Sequence, residues 1–300
     1  MKTQARRQAS VVAVGNQKGG VGKTSVTAHV AAALGEAGLS VLAIDLDMNY
    51  GLTQHFGIDP DAYLGTFEVL MGEESPEAVT ITDDEDVLLP RGVHLIPSRR
   101  KLEDIERTLA TRKFVVPHQV LVQPLRRIVA SGRYDIVLLD TAPNATAPTL
   151  AAYRSAEWFL LAAMPDPFAA RGLNDALQDI RDAQENGNAD LRLLGVVLSA
   201  VDRRTRLANT LSDYVAEAFG LPDGSTLKFK TEIGRSTAVP SAQKIGKTVL
   251  QSDPDHRIAH QYRELAGEIL ERLGRAFITR QEQKSATPPE AASSSEALDG

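Results

Sequence analysis

The 300-residue chain has no cysteine, one tryptophan and only 5% aromatic residues. Without thiols it cannot build a disulfide scaffold, a Cys-ligated zinc site or a thiolate-held iron–sulfur cluster. It also lacks any run of 18 apolar residues, so no membrane-spanning helix is expected. The start MKTQARRQAS is basic but has no apolar stretch before the first strand candidate, which argues against a secretory signal. A cytoplasmic location is the resulting expectation. Positive charge is in deficit too, with a formal net charge of −6. That deficit is concentrated: residues 73–86 hold seven acids and no base, and residues 281–300 hold four acids against Lys284. The remainder is net basic, so anion binding must be judged by patch.

What is present, 43% apolar and 24% charged, is ordinary globular composition. Apolar runs at Ser10–Gly15, Ser40–Asp45, Gly92–Ile96, Tyr134–Asp140, Glu157–Ala163 and Leu191–Ala200 read as buried strands, with Thr226–Lys230 a weaker seventh. Helical patterns at Thr24–Ala37, Val115–Ala130, Pro167–Gln184 and Arg203–Phe219 alternate with them. A final helix over about 255–280 carries an Ile258/Tyr262/Leu265/Ile269/Leu273 stripe. Such alternation predicts an α/β fold: a doubly wound, mostly parallel sheet with helices on both faces. Residues 1–9 read as a short extension, 10–280 as one domain, and 281–300, rich in Ser, Ala, Pro and Glu, as a disordered acidic tail.

Directly after the first strand comes Asn16-Gln17-Lys18-Gly19-Gly20-Val21-Gly22-Lys23-Thr24-Ser25, running into a helix. Glycines let backbone N–H groups turn inward around an anion, and the helix N-terminus adds partial positive charge. Lys23 would reach the β- and γ-phosphates, and the Thr24 hydroxyl would take a Mg²⁺ position. Two further strands end in carboxylates, at Asp45-Leu46-Asp47 and at Asp140-Thr141-Ala142-Pro143. Acids there lie where doubly wound folds bind ligands, and an apolar strand closing on Asp140 fits a Mg²⁺ partner. The place where many GTPases read guanine has Ser199-Ala200-Val201-Asp202, without their lysine, which favours ATP.

The string KGGVGKT resembles the deviant Walker motif of the ParA/MinD family, of the ParA/Soj type, so a P-loop ATPase fold is implied for residues 10–280. The likeness covers about residues 10–272. It includes LIPSRRKLEDIE (Leu95–Glu106), the turn Asp202-Arg203-Arg204-Thr205-Arg206, Ile233-Gly234-Arg235, Gly246-Lys247 and Tyr262–Ala266. By this resemblance Lys18 is the lysine that crosses a nucleotide-sandwich homodimer to the partner's ATP. Gly19, Gly20, Val21, Gly22, Lys23, Thr24 and Ser25 cradle the nucleotide. Asp47 orients the attacking water, and Asp45, with Thr24 and Asp140, supports Mg²⁺. The implied activity is slow Mg²⁺-dependent hydrolysis of ATP, stimulated by a ParB-like or other cargo adaptor. Where many partition ATPases have Pro-Gln-Gly, this chain has Met48-Asn49-Tyr50; Ala238 and Ser241 replace an Arg and a Glu usual in chromosomal members. The few residues before the first strand leave no room there for a helix-turn-helix domain.

Basic residues cluster late in the chain. Arg203, Arg204 and Arg206 lie within four residues, and Lys228, Lys230, Arg235, Lys244 and Lys247 face a single Glu232. In the resembled family such residues bind double-stranded DNA without sequence preference once ATP has made the dimer, which implies a nucleoid-associated protein. Phosphate contacts through Arg203, Arg204, Arg206, Arg235 and Lys247 would act by counterion release. The rival is MinD-like membrane association through Ile269–Arg280, but those apolar positions continue the stripe expected to pack on the sheet. The resemblance thus implies plasmid or chromosome partition with a ParB-like partner, and a third reading keeps the ATPase but positions carboxysomes, chemoreceptor arrays or conjugation machinery on the nucleoid.

Overall fold

The computed structural model describes residues 8–82, 87–112 and 116–274. Six strands form one sheet: β1 (Ser10–Gly15), β2 (Val41–Asp45), β3 (Val93–Ile96), β4 (Ile136–Asp140), β5 (Trp158–Ala163) and β6 (Arg192–Leu198). Their order is β3-β2-β4-β1-β5-β6, and every pairing is parallel. Because both faces are covered, the strands are largely continuous apolar runs rather than alternating, with polar residues mainly at their ends.

The longer helices are α1 (Lys23–Glu36), α6 (Val122–Ser131), α7 (Ala147–Ser155), α8 (Ala169–Glu185), α9 (Arg206–Ala218) and α12 (Arg257–Arg272). Short ones are α2 (Gly51–His55), α3 (Thr66–Met71), α4 (Pro76–Val79), α5 (Ile105–Thr111), α10 (Ala238–Gln243) and α11 (Val249–Ser252). One apolar layer packs α1, α11 and α12 on the sheet, with Ile258, Tyr262, Leu265 and Ile269 of the α12 stripe fully buried. The other packs α3 and α5 to α9 on the opposite face. Ile269 and Leu270 are therefore core residues, and among the described residues no helix is long and apolar enough to cross a membrane. The end of the predicted last helix and the predicted tail lie outside the described residues.

The seventh strand does not form. Around Lys228 the chain makes one isolated parallel bridge to Val196. Val196 N donates to the Leu227 carbonyl and Phe229 N to the Val196 carbonyl (both 2.9 Å), but the ladder goes no further: Leu227 N turns to the Phe219 carbonyl (2.9 Å), and the Leu194 carbonyl accepts from the guanidinium of Arg272 (2.9 Å). Its Nη1 fills the space where a Cβ on Gly195 would stand. The helix expected over Val115–Ala130 is also divided, into a 3₁₀ turn at Pro117–Gln119 and α6.

The chain runs outward from β1 to β2 and β3, returns through β4, and leaves on the other side through β5 and β6. The loop after β1 thus sits at the crevice beyond the strand ends where ligands bind in such sheets. Register brings Asp45 of β2 level with Asp140 of β4, and Asp140 level with Val14 of β1.

Candidate nucleotide site

The glycines of the loop after β1 have distinct jobs. Gly20 and Gly22 take positive φ of 75° and 90°, which L side chains rarely adopt. A Cβ on Gly22 would stand 2.8 Å from Ser199 Oγ, the hydroxyl that donates to the Val21 carbonyl (2.7 Å) and ties the loop to the end of β6. At Gly19 and Gly20 a Cβ would meet nothing within 4 Å, so the concavity is open. Gly22 caps α1, aiming that helix N-terminus into it.

Lys23 is buried, and its ammonium donates to the Lys18 carbonyl (3.2 Å). Burial lowers its pKa, against the raising influence of Asp140 and Asp47. Thr24 Oγ1 donates to Asp140 Oδ2 (2.8 Å), and Thr27 Oγ1 donates to Asp140 Oδ1 (3.0 Å). Asp140 is fully buried, and burial pushes its carboxyl up while those two hydroxyls pull it down. Asp47 lies nearby, with Oδ1 accepting from the backbone N and Nδ2 of Asn49 (both 2.9 Å). Lys23, Thr24, Asp47, Asn49 and Pro143 share one cavity of about 370 Å³ with the loop glycines.

A second cavity, about 430 Å³, opens on the other side of the same loop. Its walls include Met164, Pro165, Ala200, Ile233, Val239 and Pro240, with Arg235 at its edge. Sequence reading named Ala200 and Ile233 without assigning either to the nucleotide, and it missed Met164, Pro165, Val239 and Pro240. Among the described residues two non-glycines take positive φ, Tyr50 (47°) and Ala200 (52°), one beside each cavity. Such backbone strain concentrates at functional sites.

Asp45, expected beside Mg²⁺, is turned away from both cavities. Its Oδ2 accepts from the Thr53 backbone N (2.8 Å) and Oγ1 (2.7 Å), and its Oδ1 from the Asp47 backbone N (3.1 Å). Burial, then Asp140, raises its pKa. Lys18, expected to reach a partner, pairs through its ammonium with Asp166 of its own chain.

The basic residues separate into two groups. Arg203, Arg204 and Arg235 line one groove of about 680 Å³, joined by Lys230 and by Arg257, which sequence reading did not single out. Lys228 is instead buried against Glu232 (2.8 Å), which also pairs with Arg203 (2.6 Å) and accepts from Ser212 Oγ (2.8 Å). Arg204 pairs with Asp202 (2.7 Å), and among the described residues Arg235 is in no ion pair. Arg206 and Lys247 do not line the groove.

The donor set fits a Mg²⁺–nucleoside triphosphate. A buried ammonium, a helix N-terminus and an open glycine cradle suit phosphates, and a hydroxyl beside a carboxylate suits a hard cation. A family model described as an AAA domain matches residues 9–193. The chain is 31% identical over 265 residues to the chromosome-partitioning ATPase Soj of Thermus thermophilus, across 88% of this chain and 97% of that protein. It is 32% identical to the chromosome partitioning protein ParA of Caulobacter vibrioides, across 87% and 94%. It also superposes on cobyrinic acid a,c-diamide synthase from Mycobacterium smegmatis with bound ATP analogue and magnesium. That match has a TM-score of 0.72 at 30% identity, over 89% of this chain and 96% of that one. Fold and cradle define a P-loop ATPase that uses ATP and Mg²⁺. The chain belongs to the ParA/MinD family of these enzymes.

Proposed function

We propose that this ATPase is a partition motor of the ParA type. With ATP and Mg²⁺ it pairs with a second copy across the bound nucleotides. The pair then binds duplex DNA without sequence preference. It hydrolyses ATP slowly until a ParB-like or other cargo adaptor stimulates it. The observation that carries the reading is Arg235, an exposed cation in no ion pair among the described residues, which borders both the apolar cavity beside the phosphate loop and the basic groove.

In this reading the 430 Å³ cavity takes the adenine and the 370 Å³ cavity the γ-phosphate end. Lys23 neutralises the β/γ charge, and its prior burial means little water is displaced when it does so. Thr24 and Asp140 would hold Mg²⁺, which draws charge from the phosphoryl oxygens. Asp47, with Oδ1 fixed by Asn49, offers its other oxygen to orient water. Lys18, released from Asp166, supplies the second cation in trans, as an arginine finger does.

Light scattering and ATP turnover on three proteins test this. The parent should be a monomer alone and a transient dimer with ATP and Mg²⁺. Asp47→Ala should stay dimeric with unhydrolysed ATP, and Lys18→Ala should stay monomeric. An Asp47→Ala protein that binds ATP yet remains a monomer contradicts the reading.

A further inference from the structure

Asp47 can orient water only if its backbone is held, and it lies beyond the end of β2 in a connecting turn. Three residues from three parts of the chain hold it, closing a ring of four with Asp47 itself. Ser98, just after β3, donates its hydroxyl to the Asp47 carbonyl (2.8 Å). The Ser98 backbone N donates to Thr53 Oγ1 (2.8 Å), and that hydroxyl donates to Asp45 Oδ2 (2.7 Å). Asp45 Oδ1 closes the ring by accepting from the Asp47 backbone N (3.1 Å). All four are buried, Asp45, Thr53 and Ser98 completely. Thr66 Oγ1 adds a tie from α3 to the Asp45 carbonyl (2.7 Å).

None of these groups except Asp47 faces the 370 Å³ cavity. Nor does phosphate binding need them, because Lys23, Thr24 and the glycines are positioned by β1, α1 and Asp140. The ring instead joins the β2 end, α2 and the post-β3 loop, and it grips Asp47 at both its backbone N and its carbonyl. We propose that Ser98 and Thr53 are positioning residues for ATP hydrolysis, acting through the buried Asp45 carboxylate to fix the Asp47 backbone, and that Asp45 serves this ring rather than the metal. The proposal rests on reading Asp47 as the residue that orients water.

The chemistry of the ring predicts a particular kinetic signature. A loosened Asp47 misplaces its carboxylate by a fraction of an ångström to an ångström, and misplacement of about 1 Å costs on the order of 100-fold in rate. Binding of ATP, made elsewhere, is left alone. An interaction used only in the transition state lowers kcat with KM unchanged.

The test is steady-state ATP hydrolysis with Mg²⁺, together with ATP affinity by titration calorimetry, on the full chain. Ser98→Ala and Thr53→Val each remove a hydroxyl with almost no change in volume. Each should lower kcat by about 10- to 100-fold while ATP affinity stays within about twofold of the parent. Thr53→Ser, which keeps the hydroxyl, should restore kcat to within about threefold of the parent, because the ring closes again. Parental kcat in Ser98→Ala and Thr53→Val beside an inactive Asp47→Ala overturns the ring's role and leaves the Asp47 assignment standing. Parental kcat in Asp47→Ala itself overturns the underlying reading. If affinity falls in step with kcat, or Thr53→Ser fails to rescue, the residues are merely structural and the proposal is wrong.

Discussion

Lys18 is held in an ion pair by Asp166 of the same chain, on the turn between β5 and α8. Asp166 Oδ1 also accepts from the Phe168 backbone N (2.8 Å), while its Oδ2 is buried without a hydrogen-bond partner. The lysine that resemblance assigns to a partner's nucleotide is thus restrained in cis, and the proposed pairing of two copies would have to break that restraint.

A partly exposed ion pair is worth about 0.2–1 kcal/mol. Each of two pairing copies would release one such pair, so Asp166→Asn should promote the ATP-dependent dimer, lowering the protein concentration for half-dimerisation by about 2- to 30-fold. Sedimentation of the variant with ATP and Mg²⁺ measures this. An unchanged or weakened dimer would show that the pair does not oppose assembly.

The basic segment makes two opposite predictions for residues of like charge. Lys228 is buried on Glu232, so Lys228→Ala should cost about 1–3 kcal/mol of stability by weakening the satisfaction of a buried carboxylate. DNA affinity should barely move. Arg235 is exposed and, among the described residues, in no ion pair, so Arg235→Ala should leave stability within about 0.5 kcal/mol and flatten the salt dependence of DNA binding by about one phosphate. Melting curves paired with salt titrations separate the two, and equal effects from both variants would contradict the burial difference.

A buried histidine pair gives a pH dependence. Both ring nitrogens of His55 are buried without a hydrogen-bond partner, and burial takes its pKa down to about 4. His29, with ring centroids 5.3 Å away, is taken to about 3 by burial and then by His55. An imidazole depressed in the folded state binds a proton first in the unfolded chain. Its stability contribution is therefore complete above about pH 6.5 and declines as pH falls towards the folded value. The raised carboxyls of Asp45 and Asp140 have the opposite slope over this window, so the readout is a difference between variant and parent. Between pH 7 and pH 4, His55→Leu should gain about 3 kcal/mol relative to the parent in urea unfolding. A gap that stays constant with pH would contradict the assignment.

Local pattern made the strands, α1 and the phosphate loop legible, because an apolar run or a glycine–lysine spacing carries its own geometry. Thr226–Lys230 misled for the complementary reason: its pattern suits a strand, but Leu227 N bonds the Phe219 carbonyl and Arg272 takes the Leu194 carbonyl of β6, so pairing stops after one bridge. Contacts made by strand adjacency were invisible. Ser98 and Thr53 stand 45 residues apart and meet only because β3 pairs with β2. Likewise Lys228 reads as one more surface cation until Glu232 is found beneath it. The Met48-Asn49-Tyr50 departure resolves locally. Asn49 holds Asp47 with two hydrogen bonds, and Tyr50 takes the left-handed conformation that glycine adopts without strain.

On the proposed function, ATP is expected to make this chain bind DNA and not membrane. Co-sedimentation of the parent with duplex DNA and, in parallel, with anionic vesicles, each with and without ATP and Mg²⁺, tests it most directly. The account predicts ATP-dependent DNA binding that falls steeply with salt, is alike for unrelated sequences, and is weakened by Arg235→Ala, with negligible vesicle binding. ATP-dependent vesicle binding without DNA binding would contradict it.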